Sequence, residues 1–192
     1  MDEQGHHIVL VRHGETEWSA AGRHTSRTDV PLTEGGRRQG EALGSCLKGW
    51  RFALVLTSPL RRATETCRLA GLGDEAEIRP DLVEWDYGEY EGRTTYEIRM
   101  ERPGWTLWSD GVPGGESAEQ VGARADRILA EAWRAQGDVA LFSHGHFLRV
   151  LATRWIGLPP GEGRSLALDT ATMSVLGFER ETPVIVQWNQ PC

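Results

Sequence analysis

Ile8-Val9-Leu10-Val11-Arg12-His13-Gly14-Glu15-Thr16 decides the fold: four apolar residues run without a break into a cation, an imidazole and a glycine. Two further segments repeat the arrangement. Ala53-Leu54-Val55-Leu56 reaches Thr57-Ser58-Pro59-Leu60-Arg61-Arg62-Ala63, and Val139-Ala140-Leu141-Phe142 reaches Ser143-His144-Gly145-His146. Short apolar runs bounded by Gly, Pro and Ser read as buried parallel strands. Helical patterns lie between them, so the expected architecture is α/β: a three-layer α/β/α sandwich with a mostly parallel central sheet. Ligands of open α/β sheets bind beyond the carboxyl ends of the strands. Arg12, His13, Arg62 and His144 are therefore predicted to meet at one sheet edge, in a pocket for an anion that carries its own nucleophile.

The intervening segments are predicted as follows. A polar loop spans Glu17 to Leu32. A helix runs from Thr33 to about Lys48 with Ala42, Leu43, Cys46 and Leu47 as its apolar face, although Gly35, Gly36, Gly40 and Gly44 weaken it. Ser58 as N-cap and Pro59 as first helical residue begin a second helix, with Arg62 in its first turn, where free N–H groups favour an anion. Ser117-Ala118-Glu119-Gln120 has the form of a capping box. Phe147 to Ile156 forms a helix closed by Gly157 and stopped by Pro159-Pro160, and Thr172–Glu179 with Pro183–Asn189 forms a closing hairpin. Residues 85 to 116, rich in Gly, Trp, Tyr and charge, read as a lid or substrate-facing segment; packing is the simpler role for Trp105 and Trp108.

The 192 residues show no repeat or linker and fit one domain, residues 1–192. A net charge of −7 argues against nucleic acid as a partner, but two arginines in a cleft still decide the field there. No apolar run approaches the roughly 20 residues that span a bilayer, so no membrane partner is expected. Met1-Asp2-Glu3-Gln4-Gly5 is polar and acidic, unlike a secretory leader. Cys46, Cys67 and Cys192 are an odd, widely spaced set without a CxxC pair. They predict free thiols in a reducing cytoplasm rather than a disulfide framework or a zinc site. The sequence leaves the oligomeric state open, a homodimer included.

The chemistry follows from the residue types. Arg12 beside His13 disfavours imidazolium and so keeps the imidazole neutral and nucleophilic. His144-Gly145-His146 invites a metal, but there is no HExxH pattern and the neighbouring arginines repel a cation, so neither metal nor cofactor is expected. The acid is sought in Leu82-Val83-Glu84-Trp85-Asp86-Tyr87-Gly88-Glu89-Tyr90-Glu91-Gly92. Glu84, after two apolar residues and before Trp85, has the setting that favours a protonated acid; Asp86 and Glu89 are its rivals. Phosphate-monoester hydrolysis needs accelerations of up to about 10²¹-fold. General acid–base help supplies about 10²–10⁴ of that. Positioned positive charge must supply most of the rest, and two arginines with an extra histidine match the demand.

These residues resemble the histidine phosphatases, the phosphoglycerate-mutase-like superfamily (branch 1), over essentially the whole chain. Arg12-His13-Gly14-Glu15-Thr16-Glu17-Trp18 is similar to the signature holding the phosphorylated histidine, and Thr57 to Thr66 is similar to the second motif. Glu84 to Gly92 and Ser143-His144-Gly145 are similar to the acid-bearing and last motifs. The resemblance implies His13 as nucleophile, Glu84 as acid and then base, and Arg12, Arg62 and His144 as holders of the phosphoryl oxygens. It implies Ser19, Thr25, Ser26, Gly145 and His146 as substrate contacts. Ser19 stands where mutases usually have Asn, Ser26 where Gly is usual, and the stretch between Glu84 and His144 is shorter than in cofactor-dependent mutases. Hydrolysis of small phosphorylated metabolites such as sugar phosphates is thus implied, with resemblance strongest to sedoheptulose-bisphosphatase-like members and broad acid phosphatases. The competing readings are a cofactor-dependent phosphoglycerate mutase and a non-catalytic phospho-ligand binding protein.

Overall fold

The computed structural model describes residues 6–192, so the Met1–Gly5 stretch lies outside the described residues. Six strands form one sheet: β1 Ile8–Arg12, β2 Phe52–Thr57, β3 Ala76–Ile78, β4 Asp138–Ser143, β5 Thr172–Glu179 and β6 Thr182–Pro191. Their order is β3-β2-β4-β1-β5-β6. The β3-β2, β2-β4 and β4-β1 pairs are parallel, and β5 and β6 close the sheet as an antiparallel hairpin. Seven α-helices accompany them: α1 Glu17–Ala20, α2 Glu34–Leu47, α3 Arg61–Leu69, α4 Thr95–Glu101, α5 Leu107–Asp110, α6 Ala118–Arg134 and α7 Gly145–Trp155.

The continuous apolar runs have a direct cause. Alternate side chains of a strand point to opposite faces, and both faces of β1 are covered. Ile8 and Leu10 join Leu141 of β4 and Val121, Ile128, Leu148 and Leu151 of α6 and α7 in one core. Val9 and Val11 join Phe142 of β4 and Leu43, Leu47 and Cys67 of α2 and α3 in the other. The three-layer expectation holds.

The weakly helical glycines of α2 sit where backbones meet. A Cβ on Gly40 would lie 3.1 Å from Leu69 of α3, and one on Gly44 would lie 3.3 Å from the Ala70 carbonyl. One on Gly36 would run into the Glu15 carbonyl, and one on Gly14 into that of Gly36. Only glycine lets the first turn of α2 lie directly against the loop that carries His13.

Four local expectations are corrected. The loop after β1 contains α1, capped by a Thr16–Ser19 capping box. Helix α3 begins three residues after Ser58, with Leu60 at its N-cap and no side-chain cap of its own. Asp29, from the earlier loop, instead accepts the Arg61 N–H at 2.8 Å. Residues 85–116 are not a lid, since Trp85, Tyr87, Tyr90, Ile98, Trp105 and Leu107 are buried in the α6–α7 core, so Trp105 does pack; the substrate-facing half of the expectation holds, with Tyr87 and Thr95 lining the cavity at the sheet edge. Finally, Cys46 and Cys192 are not free thiols but a disulfide, because β6 returns the chain end to the last turn of α2. Cys67 is free and buried, its thiol pushed up to about 12 by burial. No described helix is long and apolar enough to cross a membrane.

Candidate active site

Strands β2, β4 and β1 are neighbours, so their carboxyl ends deliver Ser58, His144 and His13 side by side. The ladder extends one step past the strands: the His13 N–H donates to the Ser143 carbonyl at 3.0 Å and the Ser58 N–H to that of Phe142 at 2.9 Å. The His13 and His144 rings are 5.2 Å apart, edge to face.

His13 is buried, and its Nδ1 lies 2.7 Å from the Gly14 carbonyl oxygen. A carbonyl only accepts, so Nδ1 carries the proton and Nε2 keeps the lone pair. The Gly14 N–H in turn donates to Thr66 Oγ1 on α3, which fixes the loop. Burial first, then the charges of Arg62 and Arg12, hold the imidazole well below the usual histidine range. The result is a neutral ring with a fixed nucleophilic nitrogen.

Glu84 faces it from the short turn after Leu82. Its carboxylate accepts three backbone N–H bonds, from Trp85 and Phe147 at 2.8 Å and from His146 at 3.0 Å. Two of these donors belong to the first turn of α7, whose N-cap residue His144 supplies no side-chain cap. Glu84 therefore occupies the anion position of a helix N-terminus. Arg124 of α6 holds this segment from behind. It donates to the Asp81, Val83 and Glu84 carbonyls and pairs with Glu116.

A cavity of about 240 Å³ opens over these groups. Of the residues expected from the sequence, Arg12, His13, Ser19, Thr25, Glu84, Gly145 and His146 line it. Arg12 donates Nη1 to the Leu168 carbonyl, while its buried Nε has no partner. Such an orphaned cationic donor is costly unless an anion completes it. The absent Cβ of Gly145 leaves room for that guanidinium, which would lie 3.3 Å from it.

Arg62 and His144 are placed differently from expectation. Both are fully buried and neither lines the cavity. Arg62 Nε donates to His144 Nδ1, and its Nη atoms donate to the Thr25, Ser26 and Thr28 carbonyls. Four of its five N–H groups are engaged within the protein. His144 Nδ1 is thus an acceptor, and Nε2 donates to Ser58 Oγ at 2.8 Å. The pair orients the 25–28 segment and places positive charge beside His13. Ser26 is likewise withdrawn: it is buried, with its N–H on the Glu91 carboxylate. Ser19 reaches the cavity, but its hydroxyl caps α1. Of the rival acids, Asp86 pairs with Arg27 and is absent from the cavity wall, as is Glu89.

Sequence reasoning did not single out His24, Tyr87, Thr95 or Arg149, which complete the wall with Gly22, Arg23 and Leu168. Arg149 was within reach of periodicity, since it lies three residues after His146 on α7 and so shares its face. Among the described residues no cluster of His, Cys, Asp and Glu is arranged to hold a metal ion.

Fold and site together define an α/β protein with a neutral histidine at a strand end, opposed by a carboxylate in an arginine-lined cavity. The chain belongs to the histidine phosphatase superfamily (branch 1), whose model matches residues 8–191. It is 46% identical over 183 residues to an acid phosphatase of Mycobacterium tuberculosis, covering 93% of this chain and 90% of that one. It is 39% identical to sedoheptulose 1,7-bisphosphatase of Saccharomyces cerevisiae, over 78% of this chain and 67% of the relative. The solved structure of the open reading frame Rv3214 of M. tuberculosis superposes with a TM-score of 0.92 at 43% identity, covering 97% and 98% of the two chains.

Proposed function

We propose that the protein is a metal-independent phosphomonoesterase acting on small phosphorylated metabolites through a covalent phosphohistidine on His13. The observation that carries this reading is the His13 Nδ1–H bond to the Gly14 carbonyl, which leaves Nε2 nucleophilic in a cavity beside Arg12 and Glu84. Nε2 attacks phosphorus, and the P–O bond to the alcohol breaks as Glu84, having taken the proton carried in by the monoanionic phosphate ester, gives it to the leaving oxygen. Glu84, now a carboxylate, takes a proton from water; the hydroxide oxygen displaces His13 Nε2 and phosphate leaves. Arg12, with its unpartnered Nε, holds the phosphoryl oxygens. Arg62 adds positive charge from behind the cavity wall, and His144 acts by holding Arg62. Arg12, Arg23 and Arg149 around the cavity attract an anion and repel a cation, which supports the absence of a metal step.

Sugar phosphates fit the wall. Thr25, Thr95, His24 and His146 offer hydrogen bonds, and Leu168 is the one aliphatic side chain there. A cytoplasmic location belongs to the same reading through those substrates; the cysteine argument for it falls with the disulfide. A Glu84→Gln enzyme tests the mechanism. It slows most on alkyl phosphates with poor leaving groups and least on p-nitrophenyl phosphate. A uniform loss over the series would remove Glu84 as the acid.

A further inference from the structure

His146 and Tyr87 form a pair that the catalytic steps leave unused. Tyr87 Oη lies 2.7 Å from His146 Nδ1, and both residues line the cavity. Tyr87 is almost fully buried, with its ring 4.8 Å from that of His24. Among the described residues, Nδ1 is the phenol's one hydrogen-bond partner, and His146 Nε2 has no protein partner.

The direction of the bond follows from the chemistry of the two groups. A phenol O–H is a stronger acid than a neutral imidazole N–H, and an imidazole nitrogen is a better acceptor than a phenol oxygen. Burial and the nearby Glu84 push the Tyr87 hydroxyl well above its usual range, so the O–H keeps its proton. Burial, with Arg149, His24 and Arg12 adding to it, holds His146 well below the usual histidine range, so the ring is neutral. A neutral ring that accepts at Nδ1 carries its proton at Nε2. The His146 backbone N–H donates to Glu84 Oε2, and both residues line the same cavity, so His146 shares that cavity with the proposed acid.

We propose that Tyr87 is a positioning residue that holds His146 in the Nε2–H form, so that the cavity presents a fixed neutral donor to a hydroxyl or carbonyl oxygen of the alcohol being released. The assignment deepens the phosphomonoesterase reading by naming what the site selects: a leaving group with an oxygen acceptor near the ester. Its substrate part rests on that reading; its tautomer part does not.

Two measurements test it on the full chain. Long-range ¹H–¹⁵N NMR of the ¹⁵N-histidine protein at pH 7, with His146→Gln for assignment, shows Nδ1 as the unprotonated and Nε2 as the protonated nitrogen. An Nδ1–H form of His146 overturns the proposal whatever the enzyme does. Tyr87→Phe keeps the ring against His24 and removes only the hydroxyl. It raises KM for hydroxyl-bearing sugar phosphates about tenfold more than KM for p-nitrophenyl phosphate, a difference equivalent to one hydrogen bond. An equal change on both substrates, or none on either, overturns the selective role. A wild-type enzyme inactive on every phosphate ester would instead defeat the phosphomonoesterase reading and leave the tautomer result standing.

Discussion

Lowering the pH from 7 to 5 strips this protein of stability, because four imidazoles are buried in uncharged form. His13, His144 and His146 are held well below the usual histidine range, and His24 is brought down to about 4, burial being the largest cause in each case. In the unfolded chain each titrates near 6.5. Below that value the unfolded state binds protons that the folded state refuses, so folding free energy is lost as the pH falls. For His24, titrating at about 4 in the folded protein, the slope approaches 1.4 kcal/mol per pH unit and integrates to about 2 kcal/mol between pH 7 and 5. His13, His144 and His146 act in the same direction, against a whole stability for an ordinary domain of about 5–15 kcal/mol. Urea unfolding at pH 7, 6 and 5, in buffers free of phosphate, measures this directly. His24→Gln removes the His24 share of the slope and serves as the internal control. Stability that is flat across this range, or that rises toward pH 5, would refute the claim that these rings are neutral in the folded protein.

Three other outcomes follow from the same geometry. Arg124→Met leaves Glu116 and the Asp81, Val83 and Glu84 carbonyls without their common donor and lowers stability by about 3 kcal/mol, seen as a fall of roughly 6–12 °C in Tm. Gly36→Ala pushes α2 off the Glu15 backbone and displaces the His13 loop; kcat falls by about 10²-fold, as expected for a misplacement near 1 Å, while far-UV circular dichroism stays unchanged. The acid limb of kcat/KM, which reports free-enzyme groups, lies well below the usual histidine range because His13 stays neutral there; a limb at or above 6.5 would place an ordinary histidine in the site.

Much of this was legible in the chain, for identifiable reasons. Strands β1 and β4 are buried on both faces, so they read as unbroken apolar runs ending in the site residues. Ser117 and Gln120 lie three apart in sequence and cap one another as the pattern requires. Other features depend on partners far along the chain. The cap of α3 comes from Asp29, 32 residues before Arg61, and the disulfide joins residues 146 apart. No local pattern encodes either. Residues 85–116 form helices of only four and seven residues with buried aromatics between them, too short to show a period. For the site, residue type predicted what surrounds His13 but not which donors stay free. That is why Arg62, His144 and Ser26 prove to face the protein while Tyr87 and Arg149 face the cavity.

Trapping the covalent intermediate tests the central claim most directly. The enzyme is mixed with ³²P-labelled p-nitrophenyl phosphate, quenched in alkaline detergent that preserves phosphohistidine, and mapped by peptide. Label is expected on His13 alone, absent from His13→Ala, and accumulated in Glu84→Gln, where release by water is slowed more than the departure of p-nitrophenolate. A wild-type enzyme that turns over without label on His13, or a His13→Ala enzyme with near-normal turnover, would contradict the account.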